Sequence, residues 1–226
     1  MRFKHIFYRS FLAVFVFAAW GYSGHAQGIS IRNNILWDAT GSANLGVEIP
    51  LSEHWSIGAN GELKTWPRFF IWDTGTRDNA TQWKYFTVVP EVRYYPASVY
   101  NGWFFGGDLL YSHFNFSKIH LPFGMCKGLR DHRYQGDFFG AGAFAGHSWW
   151  LSNHFRLEVE AGVGAGYKNA KTFECQHCGK EIGKSKGLAI IPKLGVNIAW
   201  NLSARKKTKS EVIEIINQIE DQQPEQ

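Results

Sequence analysis

Hydrophobic and polar residues alternate without interruption along Arg156–Tyr167, which reads RLEVEAGVGAGY. The apolar series is Leu157, Val159, Ala161, Val163, Ala165 and Tyr167, and the opposite series begins with Arg156, Glu158 and Glu160. Because successive side chains of a strand point to opposite faces, this period predicts a β-strand with one apolar and one charged face. In a soluble sheet the apolar face forms the core, whereas in a membrane barrel it meets lipid and the charges line the interior.

The same alternation recurs from Ile29 onward. It is found in ISIRNNILWD, NLGVEIPL, WSIGANGELKTW, WKYFTVVPEVRYY, NGWFFGGDLLYSHF and GLAIIPKLGVNIAW, and more weakly in the Gly-rich YQGDFFGAGAFAGHSWW. Together with the first stretch these predict about eight strands, the smallest number usual for outer-membrane barrels. The predicted strands run to roughly ten residues, which is long for soluble proteins and suits tilted membrane strands.

Short and long links alternate between the predicted strands. The short links are GSAN, SEH, PASVYN and LSNH, and the long ones are Pro67–Gln82, Ser117–Arg133 and Asn169–Lys186. Short turns at one end and long loops at the other are typical of outer-membrane barrels, whose turns lie in the periplasm. We therefore predict an all-β protein, an eight-stranded antiparallel transmembrane β-barrel over residues 27–202.

Aromatic residues cluster near both ends of the predicted strands. The periplasmic group is Trp55, Tyr94, Tyr95, Trp103, Trp149, Trp150, Phe155 and Trp200, and the outer group is Trp37, Trp66, Trp83, Phe116, Tyr134 and Tyr167. Two belts of amphipathic rings are what two lipid–water interfaces favour.

Charged residues on the polar faces then point into the barrel. The predicted lumen network is Arg32, Glu48, Glu62, Lys64, Glu91, Arg93, Asp108, Asp137, Arg156, Glu158, Glu160 and Lys193. Buried charges are tolerated only where opposite signs pair and form hydrogen bonds. An eight-stranded interior is just wide enough for side chains to fill it, so we predict a filled lumen without an open pore.

The two ends of the chain differ from the middle. Residues 1–26 combine a basic start, a short apolar run and small residues near Ala26, which predicts a secretory signal peptide and export to the outer membrane. Residues 203–226 are first basic, and then place Val212, Ile215, Ile216 and Ile219 at helical spacing. This tail predicts a short periplasmic helix, either solvated or docked on a periplasmic protein.

Composition narrows the class further. The 226 residues are 45% hydrophobic and 19% charged, with 10 Trp, 18 Phe and 24 Gly. These values exclude a disordered chain and a helical membrane protein, and they suit a barrel with aromatic girdles. The net charge of +5 does not by itself favour a nucleic-acid partner.

The sharpest motif is Cys175-x-x-Cys178 in the last predicted outer loop, with Cys126 in the loop before it. Such a pair is a redox site, half a zinc site or a disulfide. No second CxxC is present, and an oxidising compartment favours a disulfide between Cys175 and Cys178, so we predict no metal and no cofactor. Neighbouring lysines, namely Lys168, Lys171, Lys180, Lys184 and Lys186, are either ordinary solvated residues or contacts for lipopolysaccharide phosphates.

Two other classes of function compete with a structural barrel. A barrel enzyme acting on outer-membrane lipid would use Ser and His at the rim, but Ser112 and His113 are consecutive in a strand and face opposite ways. A soluble exported lipocalin-like barrel would place the charges in water. The favoured hypothesis is a structural or surface-interaction role without catalytic residues.

The stretches NNILWDATGSANLGVEIPLSEHWSIGANG, WKYFTVVPEVRYY and RYQGDFFGAGAFAGHSWWLSNHFRLEVEAGVGAGY resemble a Bacteroidetes cell-envelope family of unknown function. Its members are small exported proteins similar to OmpA-like transmembrane barrels. The resemblance covers nearly all of the chain from the predicted cleavage point to Trp200. It implies an outer-membrane location, and a link to surface assembly or fimbriae, but it brings no catalytic residues.

Overall fold

The structure, a computed structural model, describes residues 28–65, 82–117, 132–174 and 179–205. Within these ranges no helix is both long enough and apolar enough to cross a bilayer. The predicted signal peptide, the predicted tail helix and the three cysteines lie outside the described residues.

Eight strands and one short helix make up the described fold. The strands are β1 (Ser30–Asn34), β2 (Ala43–Pro50), β3 (Trp55–Lys64), β4 (Gln82–Tyr94), β5 (Gly102–Ser117), β6 (His132–Trp150), β7 (Phe155–Glu174) and β8 (Glu181–Asn201), and the helix is α1 (Ile35–Ala39). Each strand pairs antiparallel with its neighbours in chain order, and β1 pairs with β8 to close the barrel. The predicted eight-stranded antiparallel barrel is confirmed.

The short links lie together at one end of the barrel, which we call the turn end; the opposite end is the loop end. Residues 51–54, 95–101 and 151–154 connect β2 to β3, β4 to β5 and β6 to β7 at the turn end. Backbone hydrogen bonds close these turns, such as Leu51 N to Trp55 O at 2.8 Å and Leu151 N to Phe155 O at 2.8 Å.

The first strand is shorter than its sequence pattern predicts, because the chain turns into α1 after Asn34. The side-chain amide of Asn44 accepts a hydrogen bond from Asn34 N (2.6 Å) and donates one to Asn34 O (3.0 Å). These are the two bonds that a neighbouring strand backbone would otherwise make. Asn34 also caps α1 by accepting from Leu36 N at 3.0 Å. The predicted strand over ILWD is therefore wrong.

The last two strands are longer than predicted. Their ladder runs from Phe155↔Trp200 to Phe173↔Glu181, with one register shift after Thr172. The long loop expected over Asn169–Lys186 is therefore wrong over most of its length. The lysines and glycines there favour a loop, but the β7–β8 ladder continues through them, and β6 pairs with β7 as far as Glu174.

The two faces of the strands differ as the alternation requires. On β7, Arg156 and Glu158 are fully buried inside the barrel, while Val159 and Val163 on the outer face are 41% and 55% exposed. Other exposed apolar side chains lie around the circumference: Leu45, Val47, Leu63, Phe86, Leu109, Phe139, Leu188 and Leu194. The barrel thus has a polar interior and an apolar exterior.

Candidate functional site

A buried arginine lies at the centre of the lumen network. Arg93 on β4 is 1% exposed, and its Nε lies 2.7 Å from Glu91 Oε1. Its two terminal nitrogens reach across the barrel to β7, with Nη1 3.0 Å from Glu158 Oε2 and Nη2 2.8 Å from Glu160 Oε2. The guanidinium also lies over the ring of Phe104, 4.5 Å from its centroid. Arg93 therefore ties two distant walls of the barrel together with charge-assisted hydrogen bonds.

A second arginine extends this network towards the place where β1 pairs with β8 and closes the barrel. Arg156 Nη1 lies 2.5 Å from Glu158 Oε1, and the guanidinium stacks 4.0 Å from the centroid of Tyr100. Its other hydrogen bonds reach polar side chains on three further strands: Ser30, Ser148 and Asn201. Arg156 thus donates hydrogen bonds to residues of β1, β6, β7 and β8, and it contacts both strands where β1 pairs with β8.

Arg32 on β1 and Glu48 on β2 complete the network, on the side of the barrel that its two shortest strands form. Arg32 Nη2 lies 2.5 Å from Glu91 Oε1, and its Nε lies 3.6 Å from Glu48 Oε2. Glu48 accepts hydrogen bonds from Ser56 Oγ (2.5 Å) and from the Tyr95 hydroxyl (2.8 Å). Arginines and glutamates alternate in this network, so most of the buried charges have a partner of opposite sign, as a low-dielectric interior requires.

The β4–β5 turn folds into the turn end of the lumen. Tyr95 and Tyr100 are fully buried, and the Tyr100 hydroxyl donates to Glu48 O at 3.2 Å. Tyr100 has a φ of 71°, a left-handed conformation that is uncommon for a bulky residue. These rings pack in a cluster with Val99, Phe104 and Phe144. The turn and the charge network together fill this half of the lumen.

Two members of the predicted periplasmic aromatic belt are thus misplaced. Tyr95 lies inside the barrel, and the Trp150 ring faces the Arg156 guanidinium at 5.6 Å. By contrast, Trp55, Trp103 and Trp200 are exposed on the outer face. The belt prediction failed for Tyr95 and Trp150 because nearness to a strand end does not state which face a side chain takes.

The other half of the lumen holds a cavity of about 440 Å³. Aromatic side chains of β4, β5 and β6 form much of its wall: Trp83, Tyr85, Phe114, Phe116 and Phe138. Trp37 of α1 also lines it and packs edge-on against Tyr85, with 6.2 Å between ring centroids. The prediction of a filled lumen is therefore wrong for the loop end, and Trp37, Trp83 and Phe116 line the interior instead of an outer belt.

Acidic and basic groups lie at the polar side of this cavity. Asp108 and Lys193 form an ion pair across it. Glu62 also lines the cavity, but the structure shows no hydrogen bond or ion pair from its carboxylate to any described residue. Lys64, two residues along β3, donates to Thr40 O near the loop end.

Asp137 is the exception among the predicted lumen charges. It lies on the outer face, where it accepts from the Tyr111 hydroxyl (2.9 Å) and lies 2.9 Å from His113 Nδ1. The side chains of Asp137 and His113 are about half exposed. Ser112 points the other way and bonds to Thr87 at 2.8 Å inside the barrel. The lumen placement of Asp137 is wrong because glycine and alanine dominate β6 and obscure which phase faces inward.

The three cysteines are the remaining candidates from the sequence. Cys126, Cys175 and Cys178 fall outside the described residues, so their pairing stays a prediction. In the ranges that the structure describes, no group of three or more His, Cys, Asp or Glu side chains is arranged to hold a metal ion.

Comparison with known proteins assigns the chain to a family. Residues 11–202 match the family model described as "Protein of unknown function (DUF3575)". The chain belongs to this family. The match spans all eight strands of the DUF3575 barrel described above. None of the curated proteins compared with the chain matches it.

Among solved structures, the DUF3575 chain is similar to the translocator domain of the autotransporter NalP from Neisseria meningitidis. The two share 11% sequence identity with a TM-score of 0.40, over 89% of this chain and 78% of that one. The closed eight-stranded barrel follows from the strand pairing of this chain.

Proposed function

We propose that this DUF3575 protein is an outer-membrane β-barrel that does not conduct ions and has a structural or surface-interaction role. The observation that carries the proposal is the reversal of polarity across its closed wall. Charged side chains are buried inside, while large apolar side chains are exposed outside. A water-soluble barrel would leave this apolar exterior in water, whereas a bilayer covers it.

Aromatic residues on the outer face support the same location. Trp55, Trp103, Phe155 and Trp200 are exposed near the turn end, and Tyr167 is exposed farther along β7. Amphipathic rings of this kind favour the boundary between hydrocarbon and headgroups. We place the turn end in the periplasm, because short turns lie there in bacterial barrels.

The charge network argues against a pore. At the turn end the lumen is filled by three arginines bonded to four glutamates: Arg32, Arg93 and Arg156 with Glu48, Glu91, Glu158 and Glu160. Ions would have to break buried ion pairs to pass this layer. The cavity at the loop end is therefore closed at its inner side.

Beyond the membrane, the β7–β8 hairpin carries basic side chains to the cell surface in this orientation. Lys171 pairs with Glu181 at 2.9 Å, and this hydrogen bond lowers the pKa of Glu181 below its ordinary value. Lys168, Lys184 and Lys186 lie on the same hairpin. We propose that these lysines contact lipopolysaccharide phosphates, since basic groups near a membrane surface are attracted to anionic headgroups.

A protein partner at the surface or in the periplasm fits the same architecture. The resemblance to a cell-envelope family, some of whose members lie beside genes for surface fimbriae, supports a role in surface assembly. The outer end of the β7–β8 hairpin offers the surface contact, and the predicted tail helix offers the periplasmic one.

Fractionation and gel mobility test the location. We expect the full chain in the outer-membrane fraction, with a folded form that migrates differently before and after boiling. Recovery in the soluble periplasm without a heat-dependent shift would overturn the membrane proposal.

Planar bilayers test the closed lumen. We expect no steady single-channel current from the pure protein, because the network layer blocks the lumen. As a matched comparison, Tyr100→Ala removes part of the filling side chains and should give more leak than Tyr167→Ala on the outer face. Large, stable current steps from the unaltered protein would contradict the closed lumen.

A further inference from the structure

The cavity at the loop end has two chemically different sides. Aromatic rings from β4, β5 and β6 supply an apolar wall, while Glu62, Asp108 and Lys193 supply a polar one. Its volume of about 440 Å³ lies within the range of small-molecule pockets in proteins, which are mostly apolar with a few placed polar groups. The arrangement suits an amphipathic molecule.

Glu62 lines the cavity without a hydrogen bond or ion pair to any of the residues that the structure describes. Lys193 also lines the cavity, but its ammonium is bonded to Asp108. Glu91 and Glu160, which also line the cavity, are bonded to arginines. The Glu62 side chain is partly buried at the cavity wall, so a donor that enters the cavity can supply the hydrogen bond or positive charge that no described side chain gives it.

The cavity wall is incomplete on one side. β1 pairs with β8 only over Asn197–Asn201, so among the described residues β8 from Glu181 to Val196 has a strand partner on its β7 side alone. α1 packs along part of this edge. We call this the seam. Next to it Leu188 and Ile190 are 87% and 78% exposed, and Ile191 and Pro192 of the same strand line the cavity.

The part of the seam from Leu188 to Val196 lies in the wall that our proposed orientation places in the membrane, below the lysines of the β7–β8 hairpin. A helix of five residues replaces the continuation of β1 there, so no continuous backbone ladder separates the cavity from the lipid side. An amphiphile in the bilayer can therefore insert its polar head while its tail remains among apolar side chains.

We propose that this cavity binds an amphipathic amine from the bilayer, with its ammonium group on Glu62 and its apolar part against the aromatic wall and the seam. The charge of the site favours a cation over an anion. The basic groups Lys193 and Arg32 line the cavity and are each paired with an acid, so among the described residues none is left to pair with Glu62. This inference goes beyond the proposed structural role of the barrel.

The test uses the full chain folded in phosphatidylcholine nanodiscs, with octylamine as the probe and octanoate as the matched anion. We expect saturable binding of octylamine by calorimetry and none of octanoate. Glu62→Gln keeps the side-chain shape and removes the charge, and should weaken octylamine binding by about tenfold or more, as loss of a charge-assisted hydrogen bond does. Glu53→Gln makes the same change in an exposed turn and should leave binding unchanged.

Two further arms keep the proposal falsifiable. Leu110→Trp fills the cavity without altering Glu62 and should abolish binding even if Glu62→Gln folds poorly. Stearylamine placed in the nanodisc bilayer should compete with octylamine, and absence of competition would overturn the membrane route. Equal binding of octanoate, or equal octylamine affinity in Glu62→Gln, would overturn the amine site. A chain that never folds into nanodiscs would instead refute the outer-membrane proposal.

Discussion

Replacement of Arg93 by Met tests whether the charge network holds the barrel together. The substitution removes the guanidinium but leaves an apolar side chain to pack against Phe104. Arg93 is 1% exposed and bonds to three carboxylates, those of Glu91, Glu158 and Glu160. Each of these distances is 3.0 Å or less, and Glu91 and Glu158 are 3% and 0% exposed, so solvent cannot replace the bonds lost there.

The cost of this substitution depends on which cation still contacts each of the three carboxylates. Glu91 retains Arg32, and Glu158 retains Arg156, but Glu160 loses its bonded cation. Breaking a buried ion pair by removing one partner typically costs about 3–5 kcal/mol, because a buried charge is left uncompensated. We therefore expect Arg93→Met to lower the free energy of unfolding by about 3–5 kcal/mol.

The assay is urea unfolding of the barrel in phosphatidylcholine vesicles, followed by the mobility of the folded band. The midpoint should fall while the slope with urea stays unchanged. Adding Glu160→Gln to Arg93→Met should recover part of the loss, because the orphaned charge is then removed. Lys171→Met breaks an exposed ion pair on the β7–β8 hairpin and should cost far less, since solvent screens that pair. An Arg93→Met effect no larger than that of Lys171→Met would refute the reasoning.

Three further predictions concern the barrel wall, the end of β1 and the cysteines between β7 and β8. Val159→Arg places a charge on the lipid face and should lower the free energy of unfolding by about 2–4 kcal/mol near the bilayer centre. Glu160→Gln should cost less, because glutamine keeps the shape of the side chain and much of its hydrogen bonding. If urea unfolding gave the reverse order, the inner and outer faces would be exchanged. Asn44→Ala removes two hydrogen bonds to the backbone that ends β1, and should lower stability by about 1–3 kcal/mol in the same assay. Peptide mapping without reduction should recover Cys175 and Cys178 in one bridged peptide, whereas a linkage of either to the third cysteine would contradict the local disulfide.

The local alternation of the sequence was sufficient to predict the strands and the polarity of most of them. On β7 each apolar residue is followed by a polar or small one, so the alternation alone predicts the inward series Arg156, Glu158 and Glu160. The same logic failed on β6, where glycine and alanine occupy both faces. The alternation predicts Asp137 in the lumen, whereas its bonds to Tyr111 and His113 lie on the outer face.

Other features depend on residues that are far apart in the chain. The buried position of Tyr95 and Tyr100 requires the β4–β5 turn to fold into the lumen, where Glu48 from β2 accepts from both. The end of β1 depends on the side chain of Asn44, ten residues later. The cavity is the volume that aromatic and charged side chains from several strands leave unfilled. Periodicity is a property of one strand and can be read from neighbouring residues, whereas pairing, filling and voids arise only when the closed barrel brings distant side chains together.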